Sequence, residues 1–175
     1  VRQHGLGLRL TGVSDGGYLD DSGYDQQKMS VLHRYEGGEW QFDSVLEATN
    51  LNQETAGFIT GFEAYKDEAL RTSNPNPEAY RDTWSLRALT RFSRQLAGKH
   101  NLQLTPYLRS NAMEFMQHFL PWKAIEKNSH RSVGLQSLLH LDFANLQVRS
   151  GLDIDLTRGW LEEFQPEPFS ANQPQ

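Results

Sequence analysis

Apolar and polar residues alternate with a period of two along most of this chain, and helical periodicity is nearly absent. Seven alternating runs carry the pattern, at residues 6–13, 27–35, 40–50, 83–95, 102–111, 131–143 and 146–157. A period of two places successive side chains on opposite faces of a strand. Most runs are about ten residues long or slightly longer, against about 5–6 residues for a typical strand. The sequence therefore predicts an all-β protein, an antiparallel meander of about seven long strands.

One side of each predicted strand is apolar and the other side carries the charges. The apolar positions contain no Asp, Glu, Lys or Arg, and they include Leu8, Met29, Leu46, Leu86, Leu104, Leu135 and Leu152. The opposite positions hold Arg9, Lys28, Arg34, Asp43, Glu47, Arg87, Arg91, Arg109, Asp142, Arg149, Asp153 and Asp155. The departures are His33 on the apolar side and Leu32, Val45, Leu89 and Leu138 on the charged side.

The connections between the runs alternate between short and long. The short ones are 36–39, 96–101 and 144–145, and the long ones are 14–26, 51–82 and 112–130. Outer-membrane β-barrels have this rhythm, with short periplasmic turns and long extracellular loops. Aromatic residues near the strand ends are also typical of such barrels; here they are Tyr35, Trp40, Trp84, Phe92 and Phe143. The alternative is a soluble antiparallel β-sandwich that binds a ligand or a carbohydrate.

Composition narrows the function classes. The chain has 175 residues with 17 Lys and Arg against 22 Asp and Glu, a net charge of −5, and no cysteine. A general nucleic-acid binder needs a concentrated positive face, so no nucleic-acid partner is predicted. The six histidines show no metal-ligand spacing, and neither a phosphate-binding glycine loop nor a serine nucleophile motif is present. We predict no metal site, no cofactor and no enzymatic activity; an enzyme on an antiparallel β-scaffold is the third hypothesis.

The two ends of the chain favour a fragment of a longer protein. The first residue is Val1, and the last eleven residues, 165–175 (QPEPFSANQPQ), are polar and rich in proline. Inside the fifth run, Pro106 removes one backbone donor from the middle of a strand, so we expect a bulge or an irregularity there.

Several segments resemble the early barrel of TonB-dependent outer-membrane receptors. They are residues 16–28 (GGYLDDSGYDQQK), 48–58 (ATNLNQETAGF), 65–67 (YKD), 73–78 (SNPNPE), 80–82 (YRD), 104–109 (LTPYLR) and 113–121 (MEFMQHFLP). The resemblance as a whole extends over roughly residues 5–164. The chain departs from the family pattern because it has no recognisable plug, no energy-coupling motif and no terminal strand that ends in an aromatic residue.

The resemblance implies a part of a 22-stranded transmembrane β-barrel in the outer membrane of a Gram-negative bacterium. Members of the family import iron–siderophore complexes, cobalamin, haem or other scarce nutrients. The implied partners are outer-membrane lipid, the plug domain of the same full-length chain, the inner-membrane TonB energy-coupling complex and a small-molecule metal chelate or other nutrient. Seven strands are about a third of such a barrel, so transport by residues 1–175 alone is not implied.

The long loops hold the predicted ligand contacts. Aromatic rings next to cations suit an anionic chelate that contains an aryl group, because rings stack and Arg or Lys neutralises charge. The predicted ligand-binding residues are Tyr65, Arg71, Tyr80, Arg81, His118 and Trp122. On the charged face, we expect Arg87, Arg91 and Arg109 to lie across neighbouring strands from Asp43, Glu47, Asp142 or Asp153. Such pairs serve the barrel wall or the plug more commonly than substrate conduction.

Overall fold

The fold is known from a computed structural model, which describes residues 3–166. It contains seven strands: β1 (Gln3–Asp15), β2 (Tyr24–Gly37), β3 (Trp40–Glu54), β4 (Tyr80–Gln95), β5 (Asn101–Met116), β6 (Ile125–Phe143) and β7 (Leu146–Phe164). A short 3₁₀ helix, Ala64–Lys66, lies between β3 and β4. Val1 and most of the proline-rich segment 165–175 lie outside the described residues. In residues 3–166, no helix has both the length and the apolar character needed to cross a membrane.

The seven strands form a single sheet in the order β1-β2-β3-β4-β5-β6-β7. Every neighbouring pair is antiparallel, from β1 with β2 to β6 with β7. The prediction of an all-β antiparallel meander of seven long strands is therefore confirmed. The short links account for the pairs β2–β3, β4–β5 and β6–β7, because a short link can only join neighbouring strands of an antiparallel sheet. The pairs across the three long connections are seen in the structure.

Most strands extend beyond the alternating runs, chiefly toward the end of the sheet that carries the long connections. Because β1 to β6 extend into the long connections, these connections shorten to residues 16–23, 55–79 and 117–124. β7 likewise extends to Phe164. In several of these extensions both faces carry polar residues, as in the NLNQE end of β3. The hydrophobic alternation fades there, although the backbone ladder continues.

The register aligns the apolar sides of all seven strands. Paired residues form one continuous row across the sheet, and every member is apolar: Leu8, Val31, Leu46, Ala88, Leu108, Val133 and Leu156. A slip of one residue in any strand would turn its apolar side chains to the other face. The sheet therefore has an apolar face, which carries this row, and a charged face, which carries Arg9, Glu47, Arg87 and Arg109.

The apolar face is open to the surroundings. Leu152 is 64% exposed, Leu135 is 40% exposed, and Leu104 is half-buried. Among residues 3–166 the only buried apolar side chains are Ala64, Ala79, Met116, Ala124 and Ile125, which lie in the loops or at the loop ends of strands. The described residues thus place no second layer over the sheet, in contrast to a β-sandwich, whose two sheets cover each other's apolar faces.

Aromatic residues border the apolar face at two levels. At the loop end, Trp84 and Trp160 belong to one row, joined through the pairs Trp84–Ala112, Ala112–Ser129 and Ser129–Trp160. At the opposite end, Tyr35, Phe42 and Phe92 are direct register partners on three adjacent strands. Their ring centroids are 5.2 Å apart for Tyr35 and Phe42 and 5.0 Å apart for Phe42 and Phe92.

Pro106 interrupts the ladder on one side without changing the register. Between β4 and β5 the pairing runs to Leu89–Tyr107, skips two positions, and resumes at Phe92–Leu104. On the other side, Pro106 pairs with Leu135 of β6 in an unbroken ladder. The missing N–H of proline thus produces the expected irregularity as a local gap in hydrogen bonding, and the register shows no bulge.

Candidate functional site

Residues from the three long connections form a joined surface at one end of the sheet, here called the loop surface (residues 16–23, 55–79 and 117–124). The backbone N–H of Asp20 donates to the carbonyl of Thr72 at 2.7 Å. The Asn74 side-chain amide donates to the carbonyl of Asp21 at 2.9 Å. Lys123 forms an ion pair with Glu78. The middle loop therefore contacts both of its neighbours.

Tyr65 and Arg71 lie in the middle loop with their side chains largely in solvent. Tyr65 belongs to the 3₁₀ helix and is 66% exposed, and the Lys66 ammonium lies 5.7 Å from the centroid of its ring. Arg71 contacts Glu68 at 3.4 Å within the same loop. An exposed ring flanked by a cation is a surface to which an aromatic anion could bind by stacking and charge.

Tyr80 and Arg81 begin β4 and point to opposite faces of the sheet, as neighbours in a strand do. The Tyr80 hydroxyl donates to Glu114 Oε1 at 2.6 Å. The other oxygen of Glu114, Oε2, forms an ion pair with the Lys127 ammonium at 3.0 Å. Arg81 is exposed and lies between Gln53 and Phe115 in the register. The Tyr80 hydroxyl is thus occupied by a contact within the sheet, whereas the side chain of Arg81 is accessible.

His118 and Trp122 lie in the third loop. The His118 ring is half-buried and packs edge-on against Phe119, with centroids 5.9 Å apart. Its Nδ1 atom is buried and has no hydrogen-bond partner among residues 3–166. Trp122 is 38% exposed, and its backbone carbonyl accepts a hydrogen bond from the Gln165 side chain at 3.2 Å.

The six predicted ligand residues share the loop end of the sheet without touching one another. Two lie in the middle loop, two at the start of β4 and two in the third loop. Within residues 3–166, no hydrogen bond, ion pair or ring contact joins any two of Tyr65, Arg71, Tyr80, Arg81, His118 and Trp122. Their identification as ligand contacts therefore stays a prediction.

The ion pair between Glu78 and Lys123 is a connection that the sequence did not reveal. These residues are 45 positions apart, and no periodic pattern links one loop to another. The hydrogen bond from Lys123 holds the pKa of the Glu78 carboxyl below its ordinary value. Since neither loop belongs to a strand of the sheet, this contact helps to fix the shape of the loop surface.

We expect the attachment of these loops to weaken in acid. Because the folded-state pKa of Glu78 is depressed, its stabilising effect is complete above the ordinary glutamate pKa of about 4.3 and is lost as the pH falls through the lower, folded-state value. Hydrogen exchange of residues 76–79 and 120–124 from pH 7 to pH 3 measures this. Glu78→Gln should weaken protection already at pH 7. Glu68→Gln, a change at an exposed carboxylate in the same loop, should leave protection near Lys123 unchanged.

On the charged face, a polar network is centred on Asp155 of β7. Arg109 donates to its Oδ2 atom at 2.8 Å, and the Tyr107 hydroxyl donates to the same oxygen. Thr157 donates to the other oxygen. The donors Arg109 and Tyr107 come from β5, two strands away, so their side chains reach over β6.

Gly134 of β6 makes this reach possible. It is the direct partner of Tyr107 on one side and of Asp155 on the other. A Cβ atom at Gly134 would lie 2.3 Å from Cζ of Tyr107, so the tyrosine ring occupies the space that a side chain would need. Glycine here allows a close approach of the ring to the backbone.

The register places Arg87 opposite Glu47 and Arg91 opposite Asp43, as expected, whereas Arg109 departs from the expected pairing. Arg109 pairs with Asp155, which was not among the four acids expected opposite it. Asp43 lies opposite Arg91 in the register, but its direct ion pair is with Arg34, at 2.7 Å. The contact between β5 and β7 crosses β6 and depends on the absence of a side chain at Gly134. A comparison of neighbouring runs in pairs therefore cannot predict it.

We expect Gly134→Ala to destabilise the sheet through Tyr107. Overpacking typically costs about 1–3 kcal/mol, and here the added methyl group must push the tyrosine ring away from Asp155. The check is urea unfolding of the variant, with Tyr107→Ala as the matched background. In that background Gly134→Ala should have almost no effect. Equal losses with and without Tyr107 would contradict the proposed contact.

The described residues offer binding chemistry at the loop surface and the charged face. In residues 3–166, no group of three or more His, Cys, Asp or Glu side chains is placed to hold a metal ion. Neither a protein-family model, nor a curated protein, nor a solved structure matches this chain.

Proposed function

We propose that this chain is a wall segment of a TonB-dependent outer-membrane receptor that imports an iron–siderophore complex or a similar scarce nutrient. The proposal combines the fold with the motifs that resemble that family. It implies a 22-stranded barrel, of which these seven strands form about a third, in the outer membrane of a Gram-negative bacterium.

The observation that carries the proposal is the exposed apolar band between two levels of aromatic residues. On β7 the band extends over residues 146–156, about 11 residues at about 3.3 Å each, or about 36 Å along the strand. A strand tilted by about 45° converts this length into a height of about 25 Å, which matches the apolar band of membrane barrels. At the loop end, Trp84 follows Leu86 directly on the apolar face of β4, whereas on β7 Arg158, the partner of Arg131, lies between Leu156 and Trp160.

The next row beyond the tryptophans supports the same orientation. It is polar across the sheet: Ser14, Asp25, Asn52, Asp82, Glu114, Lys127 and Glu162. Such a row suits a lipid headgroup region or water and would be costly in hydrocarbon. On β4 the change from Leu86 to Trp84 to Asp82 therefore follows the order of a membrane interface.

In this proposal the charged face lines the barrel interior and the loop surface faces the medium. A large barrel keeps its interior wet or filled by a plug, so Asp155, Arg109 and Arg91 stay hydrated or paired. The plug domain, the inner-membrane TonB complex and outer-membrane lipid are the partners that follow. The ligand would first meet the loop surface, where Tyr65 and Arg71 are accessible.

Depth-dependent fluorescence quenching tests the proposal. The full-length protein that contains this chain is reconstituted into liposomes with lipids brominated either close to the headgroup or near the chain centre. In single-tryptophan variants, Trp84 and Trp160 should be quenched more strongly by bromine close to the headgroup. Trp122, on the loop surface, is the matched control and should be quenched little by either lipid.

Two results would contradict this function. Failure of the protein to insert, with Trp84 and Trp160 shielded in a soluble molecule, would favour the β-sandwich binding module. Quenching of Trp122 as strongly as Trp160 would show that the loop end does not lie outside the bilayer.

A further inference from the structure

Two histidines are in contact on the apolar face, at the end of the sheet that carries the short links. His33 interrupts the apolar side of β2, and the register places it opposite Leu6 of β1. His4, two residues before Leu6 in β1, is the direct partner of Tyr35. The two imidazoles therefore lie diagonally across neighbouring strands, at a separation that aromatic side chains can bridge.

The two imidazole rings approach each other through one nitrogen each. Nδ1 of His4 and Nε2 of His33 are 3.2 Å apart, and the ring centroids are 5.5 Å apart with planes inclined by 23°. Two nitrogens that bind one metal ion at about 2.0–2.1 Å each are separated by about 2.9 Å in square-planar geometry and about 3.3 Å in tetrahedral geometry. The observed separation lies between these values, so the nitrogens are spaced to bind one ion.

Binding of an ion requires two changes within the pair. A metal ion needs both nitrogens unprotonated, so the ring that donates the present hydrogen bond must carry its proton on its other nitrogen. Because a hydrogen bond aims the two nitrogens at each other, the rings must also turn about their Cβ–Cγ bonds to direct both lone pairs at the ion. Neither change alters the register of β1 and β2.

Neighbouring side chains hold the rings in place. The Tyr35 ring packs against His4, with centroids 4.8 Å apart. Ser44 lies opposite His33 in the register, and its hydroxyl is 3.0 Å from the hydroxyl of Thr90, a hydrogen-bond distance. An imidazole pair whose spacing is fixed by strands and neighbours loses little side-chain freedom when it binds an ion.

The donor set selects the kind of ion. Neutral imidazole binds Cu²⁺, Zn²⁺ and Ni²⁺, whereas Ca²⁺ and Mg²⁺ prefer oxygen ligands, and among these ions the affinity of a nitrogen site is highest for Cu²⁺. His4 is exposed and His33 is half-buried, so an ion can reach the pair from solvent. No third His, Cys, Asp or Glu of residues 3–166 joins the pair in a metal-binding group, and water would complete the coordination.

We propose that His4 and His33 form a two-histidine site for a divalent transition-metal ion, with Cu²⁺ bound most tightly. The ion takes the place of the hydrogen bond between the rings and connects β1 to β2. The site goes beyond the proposed function and does not depend on it, because both histidines belong to neighbouring strands of the described sheet.

Metal titration of the full-length protein that contains this chain, prepared without a histidine tag, tests the site. Cu²⁺, Zn²⁺ and Ca²⁺ are titrated by calorimetry, and bound Cu²⁺ is followed by electron paramagnetic resonance. Cu²⁺ should bind saturably with a spectrum that shows coupling to two imidazole nitrogens. Zn²⁺ should bind more weakly at the same site, and Ca²⁺ should not compete.

Single substitutions assign the binding to the pair. His4→Gln and His33→Gln should each weaken Cu²⁺ binding by about 100-fold or more, because loss of a residue that only supports a metal ligand already costs about 10–100-fold. His130→Gln is the matched control and should leave binding unchanged, since His130 is an exposed histidine on the charged face of β6.

Hydrogen exchange gives a second measurement on the same samples. Saturating Cu²⁺ should slow exchange in residues 4–10 and 30–35 of the wild-type protein, because the ion binds the paired strands and not the separated ones. The His33→Gln variant should show no such effect.

Three results would overturn the site. The first is the absence of saturable Cu²⁺ binding by the wild-type protein, which would leave the pair as a hydrogen bond alone. The second is an equal loss of affinity in His33→Gln and His130→Gln. The third is unchanged Cu²⁺ binding after His4→Gln and His33→Gln are combined, which would identify an adventitious association elsewhere.

Discussion

Replacing Leu152 with arginine should cost about 2–4 kcal/mol of folding free energy in a bilayer, because a charge near the midplane of the apolar band has no water to hydrate it. Leu152 is 64% exposed on the apolar face, so no protein neighbour would shield the new guanidinium group. Leu135→Arg should behave in the same way. The measurement is reversible folding of the full-length protein into liposomes, followed in increasing concentrations of denaturant.

Gln136→Arg is the control for this experiment. Gln136 follows Leu135 in β6 and is also exposed, but its side chain lies on the charged face, in the row of Asp43, Arg91 and Asp153. An arginine there would stay hydrated, so its cost should be far smaller. Equal costs at Leu152 and Gln136 would contradict the assignment of the two faces.

Removing the predicted ligand residues together should abolish most ligand binding. The combined variant replaces Tyr65, Arg71, Arg81, His118 and Trp122 with alanine in the full-length protein. If two of the five are hot spots worth about 2 kcal/mol each, affinity falls by roughly a thousandfold. The probes are ferric catecholate chelates, ferric hydroxamate chelates and cobalamin, with binding followed by quenching of intrinsic fluorescence.

Tyr80 is tested separately because its hydroxyl holds Glu114 at 2.6 Å. Tyr80→Phe keeps the ring and removes only that contact, so a change in ligand affinity would assign the hydroxyl to recognition.

Lys99→Ala, in the short link between β4 and β5 at the opposite end of the sheet, is the control for the combined variant. If a folded combined variant binds the probe with unchanged affinity, these residues do not contact the ligand and serve only in packing at the loop end.

The number and the faces of the strands follow from local pattern. Alternation over about ten residues specifies a strand and assigns its two sides at once. Leu8, Val31 and Leu156 could be assigned to the apolar sides of their strands before any pairing was known, because each belongs to an alternating run. The same reasoning made the predicted strands too short. At the end of β3, polar residues such as Asn52 and Glu54 occupy the apolar side, so no alternation marks them as part of the strand.

Contacts between distant segments required the tertiary structure. The ion pair between Glu78 and Lys123 joins two loops whose approach depends on the lengths of β4, β5 and β6. The Asp155 network depends on Gly134, which is informative only once Tyr107 is known to lie beside it. The contact between His4 and His33 likewise appears only in the register of β1 and β2.

The sequence alone thus determined the two-faced meander, because a side-chain period of two is a local property that every strand carries by itself. Only the tertiary structure decided which charges meet, how the loops attach and where Pro106 breaks the ladder. Those features depend on pairing register and on the space that the missing side chain of Gly134 leaves to Tyr107. Register and free space are relations between strands, and no single run of residues contains them.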